Sequence, residues 1–212
     1  MTNVHDILIQ HLRGRMDGPP SVAYNVHKSF FVAANNSGQS AYNIVLDHLS
    51  SSWGGDGNIT IYGSSDAGRI SDITISNCII AEARENMGLS GEEANDSKNC
   101  NASNASDVLI FGNLMSNSRW RNPRIDAGSA VVLNNYLYNN KDGGTMLEGD
   151  DFDLTAISVV ANVQEGGPMS GTYASLKYPN FGLKPWTTPL TDHNIYLFGN
   201  ISDSGSQANS SD

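Results

Sequence analysis

Three arginines fall within six residues, Arg119, Arg121 and Arg124, on either side of Asn122-Pro123. A guanidinium is a planar fork of donors that grips a carboxylate through paired bonds. With Arg84 upstream, these side chains form a basic cluster in a chain that otherwise repels anions. Its 212 residues carry 12 Lys plus Arg against 22 Asp plus Glu, a net charge of -10. Such a chain binds an anionic polymer only where a bridging cation or a local basic cluster overrides the field. The same balance argues against nucleic acid as a partner. The acidic candidates are Asp56, in the turn Trp53-Gly54-Gly55-Asp56-Gly57, together with Asp47 and Glu82. Trp53 and Trp120 can stack on a sugar face or pack beneath a loop. His48 and His11 occupy matching places in a repeat and read as stacked polar turn residues before they read as catalysts. Asp150-Asp151 lies in the acidic loop Glu148 to Asp153 and reads as solvated.

The elements that must position these groups are strands. The chain holds 24 Asn and 21 Gly, which disfavour helices and suit turns. Its apolar runs, such as Ala130-Val131-Val132-Leu133, are far too short to span a membrane. Met1 to Asp6 show neither the charged nor the apolar region of a signal peptide. Of the two cysteines, Cys78 sits in an apolar run and reads as a buried thiol, with a bond to Cys100 left open.

A short alternating pattern recurs seven times. Aligned on Ile9, Leu46, Ile75, Ile110, Val132, Val159 and Leu197, the copies are spaced 37, 29, 35, 22, 27 and 38 residues apart. Period-two alternation marks half-buried strands. The smallest spacing fits one coil of a parallel β-helix, and the larger ones fit the same coil with inserted loops. An antiparallel sandwich is the rival, disfavoured because its strands recur every 8–12 residues. Four copies place an Asn three positions later, at Asn113, Asn135, Asn162 and Asn200, where stacked side chains can form a hydrogen-bonded ladder. The expected architecture is all-β, about seven coils over residues 1–202. Residues 86–104 and 166–189 are expected as long surface loops, and 203–212 as a flexible tail.

Several segments carry a resemblance. Asp47-His48-Leu49-Ser50-Ser51-Ser52-Trp53-Gly54-Gly55-Asp56 resembles the D-H-x-S-x-S-W-x-x-D segment of pectate lyases. Ile73 to Ala83 resembles their next coil, Arg121-Asn122-Pro123-Arg124 their R-x-P-R segment, and Asn134 to Asn139 the coil after it. Ile7 to Gly18 is similar to their strand ending in R-x-R-x-G-D. These pieces keep the family's order over residues 3 to 140.

The resemblance implies a right-handed parallel β-helix and β-elimination on polygalacturonate or a related uronate polymer. It also implies a secreted protein, here lacking N-terminal coils, that acts as a monomer. It makes Arg121 the base and gives Arg124 a grip on a substrate carboxylate. Substrate contacts would come from Arg84, Asn86, Trp53, Trp120, Arg119 and His48. Asn86 stands where the family has a substrate-binding Lys. The implied cofactor is calcium on Asp56, with Asp47 and Glu82 as helpers. That ligand set is thinned: the family's second Asp falls at Thr60, and the earlier coil reads His27-Lys28-Ser29-Phe30-Phe31 with no Asp. Calcium wants six to eight oxygens. The rival functions are a glycan-binding β-helix without lyase chemistry, of the phage tail or attachment kind, and a purely structural solenoid.

Overall fold

The computed structural model describes residues 2–16, 27–36, 38–64, 69–84, 97–141, 144–147, 156–169, 182–183 and 194–202. Among them there is no helix, and the strands form three parallel sheets. The first sheet stacks Val4–Gln10, Ser40–Asp47, Arg69–Ser76, Ala105–Phe111, Ser129–Leu133, Ala156–Val160 and Asn194–Phe198 in chain order. The second stacks Arg13–Arg15, Ser50–Ser52, Ile79–Ala81, Leu114–Ser116, Tyr136–Tyr138, Val163–Glu165 and Ile201–Ser202. The third runs Lys28–Ala34, Gly57–Gly63, Cys100–Ser103, Arg124–Asp126, Met146–Leu147 and Gly182–Leu183. Each coil visits the three sheets in turn, so the fold is a parallel β-helix.

The repeat maps onto the first sheet residue by residue. Ile9, Leu46, Ile75, Ile110, Val132, Val159 and Leu197 pair one to the next along the stack. The middle five are fully buried, and Ile9 and Leu197 pack against the same core. Period-two alternation puts these side chains inside because alternate Cβ atoms point to opposite faces.

Each coil leaves the first sheet through one residue at positive φ: His11, His48, Asn77, Gly112, Asn134, Ala161 and Gly199, all between 52° and 67°. In every coil but the first, where Leu12 is exposed, the next residue is buried. In four coils it is Asn, and the four make the expected ladder. Asn113 Nδ2 donates to Asn135 Oδ1, Asn135 Nδ2 to Asn162 Oδ1, and Asn162 Nδ2 to Asn200 Oδ1, at 2.9, 2.9 and 3.0 Å. Cys78 holds the same corner one coil earlier, where its backbone N–H donates to Asn113 Oδ1. It is a free, buried thiol, as is Cys100.

Two expected loops need correction. Cys100–Ser103 is a strand inside the stretch 86–104, and Gly182–Leu183 is one inside 166–189. Strands of two to four residues are too short to show alternation, and Cys100–Ser103 is buried throughout. Residues 203–212 lie outside the described residues.

Candidate functional site

The outer face of the third sheet carries a cleft of about 580 Å³. Lys28, Phe31, Asp56, Thr60, Tyr62, Lys98, Asn101, Ser103, Arg121 and Arg124 line it. Four successive coils supply these residues. Phe31, Thr60, Asn101 and Arg124 stand in register across the sheet.

Tight turns and a second Asn ladder set the charged groups in place. A Cβ on Gly54 would stand 2.0 Å from the carbonyl oxygen of Gly57, so the turn before Asp56 closes only around a glycine. Beneath the cleft, Asn58 Nδ2 donates to Asn99 Oδ1 at 3.0 Å, and Asn99 Nδ2 donates to Asn122 Oδ1 at 2.8 Å. All three are fully buried. Asp56, Lys98 and Arg121 each lie within two residues of a rung. A fixed rung thus fixes the height of each functional side chain along the stack.

Asp56 sits between two ammonium groups. Lys28 Nζ lies 2.5 Å from its Oδ2 and Lys98 Nζ 2.8 Å from its Oδ1. Arg124 is clamped from three sides, donating to Ser103 Oγ at 2.8 Å, Asn101 Oδ1 at 3.3 Å and Asp126 Oδ2 at 3.1 Å. Arg121, itself at φ 58°, donates to Asn101 Oδ1 at 3.5 Å and has its guanidinium 5.7 Å from the Trp120 ring centre. Thr60 Oγ1 is buried and has no hydrogen-bond partner among the described residues. It lines the cleft.

The structure thus brings Asp56, Arg121 and Arg124 together, with Trp120 behind Arg121. It does not bring in the other sequence candidates. Trp53 is 45% exposed on the turn between the second and third sheets, where its Nε1 donates to Glu82 Oε2 at 3.3 Å and Arg15 approaches its ring. Arg84 and Arg119 do not line the cleft; their backbone N–H groups donate to Gly54 O and to Ser97 Oγ. His48 is at the corner of the first and second sheets, 2.7 Å from Asp47 and 5.2 Å, ring to ring, from His11. His48 and His11 border a separate depression. Asn86 lies outside the described residues.

Among the described residues, the three candidate acids Asp47, Glu82 and Asp56 each face other partners. Asp47 spends its carboxylate on Ser76, Asn77, His48 and Gln10, which hold its pKa well below the usual carboxylate range. Glu82 faces Trp53, and Asp56 faces two lysines. Among the described residues no three His, Cys, Asp or Glu side chains gather as metal ligands. The groups around Asp56 are cations where a calcium shell needs oxygens, so the described residues do not fit the ion.

Sequence reasoning missed Lys28 and Lys98. A lysine near a strand end reads as a solvated charge, and only coil stacking brings residues 42 apart in sequence onto one carboxylate. The signal that could have found Lys28 was the earlier coil, His27 to Phe31, in which the resemblance calls for an Asp and the sequence has none.

Comparison with known proteins decides the relationship. Seven curated proteins match, including three named "Probable pectate lyase C" from Aspergillus fumigatus, Aspergillus flavus and Emericella nidulans. The first is 27% identical over 173 residues, which is 82% of this chain and 36% of its own length. The second is 31% identical over 126 residues, 59% of this chain and 26% of its own length. The third is 28% identical over 149 residues, 70% of this chain and 30% of its own length. The chain is a relative of the pectate lyases. It spans about a third of the length of these pectate lyases, 26–36% in the three pairs. No family model matches, and no solved structure does.

Proposed function

We propose that the cleft on the third sheet is the active site of a polysaccharide lyase that cleaves a polygalacturonate-type acidic polymer by β-elimination, with Arg121 as base. One observation carries this reading. An acidic chain gathers Lys28, Lys98, Arg121 and Arg124 around a single cleft. Such a cluster focuses an otherwise repulsive field onto one place for an anion.

Elimination needs little else. The proton alpha to the uronate carboxylate is removed, the electron pair forms a double bond, the glycosidic C–O bond on the adjacent carbon breaks, and the leaving oxygen takes up a proton, so no water is consumed. Negative charge builds on the carboxylate as the proton leaves. Cations aimed there stabilise the transition state more than the ground state. Arg124, fixed by Asn101, Ser103 and Asp126, offers a preorganised donor for that charge. A guanidinium normally stays protonated up to a pH of about 12. As a base, Arg121 must therefore give up its own proton before it can take the substrate's. The names of the relatives support the same substrate class, and extracellular action follows from a polymer too large to enter a cell.

The test is the ultraviolet absorbance of the unsaturated product formed from polygalacturonate. Arg121→Lys keeps a charge but loses the fork, and should lower turnover by at least about 10²-fold, the scale of one catalytic group. Polymer binding should fall far less. An Arg121→Lys variant within about threefold of the parent removes Arg121 from the chemistry. Binding without any product would make the chain a glycan-binding solenoid.

A further inference from the structure

We infer that Tyr62 is the stacking platform of a second sugar subsite in the cleft, which takes the ring face of the sugar next to the uronate held at Arg124. This deepens the reading of the cleft as an acidic-polysaccharide site and rests on it.

Four tyrosines are exposed among the described residues: Tyr42, Tyr62, Tyr136 and Tyr196. Three of them cover their rings with a neighbour. Tyr42 stacks on His5, Tyr136 on Tyr138 and Tyr196 on Phe198, with ring planes 9°, 7° and 13° apart. Tyr62 is 43% exposed and lines the cleft. Among the described residues its side chain has neither a ring contact nor a hydrogen bond. An aromatic ring left uncovered in a cleft is a surface for a ligand with an apolar face.

The fold holds that ring open. Its register partners on the coils before and after are Ala33 and Ser103, whose side chains are too small to reach across it. The backbone is fixed as well. The carbonyl of Gly63 accepts from Asn104 Nδ2 at 2.8 Å, and a Cβ on Gly63 would stand 2.3 Å from the Asn104 carbonyl oxygen. A platform set in advance loses little entropy when a ligand lands on it.

The chemistry of the sugar matches. A galacto-configured pyranose carries O4 axially on one face, which gathers the hydrogens of C3, C4 and C5 on the other. Those hydrogens are electropositive, and the face of an aromatic ring is negative. Such a contact makes no use of the carboxylate. Two residues earlier on the same outward face, Thr60 Oγ1 is buried and has no hydrogen-bond partner among the described residues; Thr60 is 5% exposed and lines the cleft. A buried hydroxyl without a partner is costly, and a ring hydroxyl of a bound sugar supplies one.

The spacing suits two neighbouring sugars. Tyr62 pairs with Ser103, and Asn101 with Arg124, so Tyr62 and Arg124 stand two strands and two residues apart, about 12 Å at Cα. Ser103 links them, since Arg124 donates to its Oγ at 2.8 Å. Side chains reaching in from both ends of that span leave one sugar on the ring and the next at the guanidinium.

The test is calorimetric titration of the full chain with trigalacturonate, in calcium and in EDTA, alongside kinetics on polygalacturonate by the ultraviolet assay. Tyr62→Ala should weaken trigalacturonate binding and raise KM at least about fivefold, with kcat within about threefold of the parent, as when a contact is made equally before and during reaction. Tyr62→Phe keeps the ring and should stay within about twofold of the parent. Monomeric galacturonate, too short to reach both ends, should bind the parent and Tyr62→Ala alike. Tyr62→Ala binding trigalacturonate as tightly as the parent overturns the inference and leaves the lyase reading standing. So does a Tyr62→Phe variant that falls as far as Tyr62→Ala, or an equal loss for galacturonate. Binding that depends on Tyr62 without any product supports the subsite and removes the lyase reading. No binding by the parent in either condition overturns both.

Discussion

Asn135 is the middle rung of the ladder along the first corner, and its removal tests whether that ladder holds the solenoid together. Its side chain makes four hydrogen bonds. Nδ2 donates to Ile110 O and Asn162 Oδ1, and Oδ1 accepts from the backbone N–H and the Nδ2 of Asn113, each at 2.9 Å. Neutral buried hydrogen bonds contribute about 1 kcal/mol each, which gives about 4 kcal/mol for Asn135→Ala. Orphaned groups on Asn113 and Ile110 raise this, and a water entering the vacated space lowers it. A loss of about 3–5 kcal/mol is a large part of the roughly 5–15 kcal/mol that holds a domain. Asn200→Ala is the control. Asn200 accepts two bonds from Asn162 and donates one to Val159 O, but it follows Asn194–Phe198, the last strand of the sheet. In a stacked array the loss of an end contact is absorbed by fraying of one coil. Its cost should be less than about half that of Asn135→Ala. Urea unfolding followed by far-ultraviolet circular dichroism measures both. An Asn135→Ala cost below about 1 kcal/mol, or equal costs for the two variants, would refute the reasoning.

Two further outcomes are expected. Asp47 is held well below its ordinary value of 3.8, chiefly by the hydrogen bond from Ser76 Oγ and then by those from Asn77, His48 and Gln10. A depressed carboxyl stabilises the fold above its unfolded pKa and stops doing so as pH falls through the folded one. The stability gap between the parent and Asp47→Asn should therefore be widest near neutrality and shrink below about pH 4, as urea midpoints across pH will show; a gap independent of pH contradicts it. Burial pushes the Cys78 thiol up to about 11 and raises that of Cys100 as well. Both should stay silent toward a chromogenic disulfide reagent at pH 8 and react together on unfolding, whereas rapid reaction of the native protein would place a thiol at the surface.

The first sheet was legible because its strands run five to eight residues, long enough for alternation to show, and because Ile9 through Leu197 repeat one inward position. The ladder was legible for the same reason, since a fixed offset from that position recurs in four coils. The second sheet was not, because strands of two or three residues carry no period, and the third was not, because four of its six strands run only two to four residues and its outer face is mixed. Within the site, Arg121, Arg124 and Asp56 were visible as a cluster and a turn. Lys28 and Lys98 were not, since their meaning depends on a carboxylate two coils can reach and one cannot. Asp47 and Glu82 were visible too, but Asp47 sits at the corner between the first and second sheets, and Glu82, at the same second-to-third corner as Asp56, faces Trp53.

The buried ladder Asn58, Asn99 and Asn122 also acts as a ruler. Its rungs advance by one strand spacing, about 4.8 Å, and the charged groups beside them can be displaced along the stack only in that unit. A change of specificity by small shifts of the cations is therefore closed to this architecture. Insertion or deletion of a whole coil would move a charge by one full step while leaving every rung bonded. The lattice of the backbone makes the charge pattern of the surface digital, so variation in what such a face recognises should come from which residue stands on a rung and seldom from where the rung is.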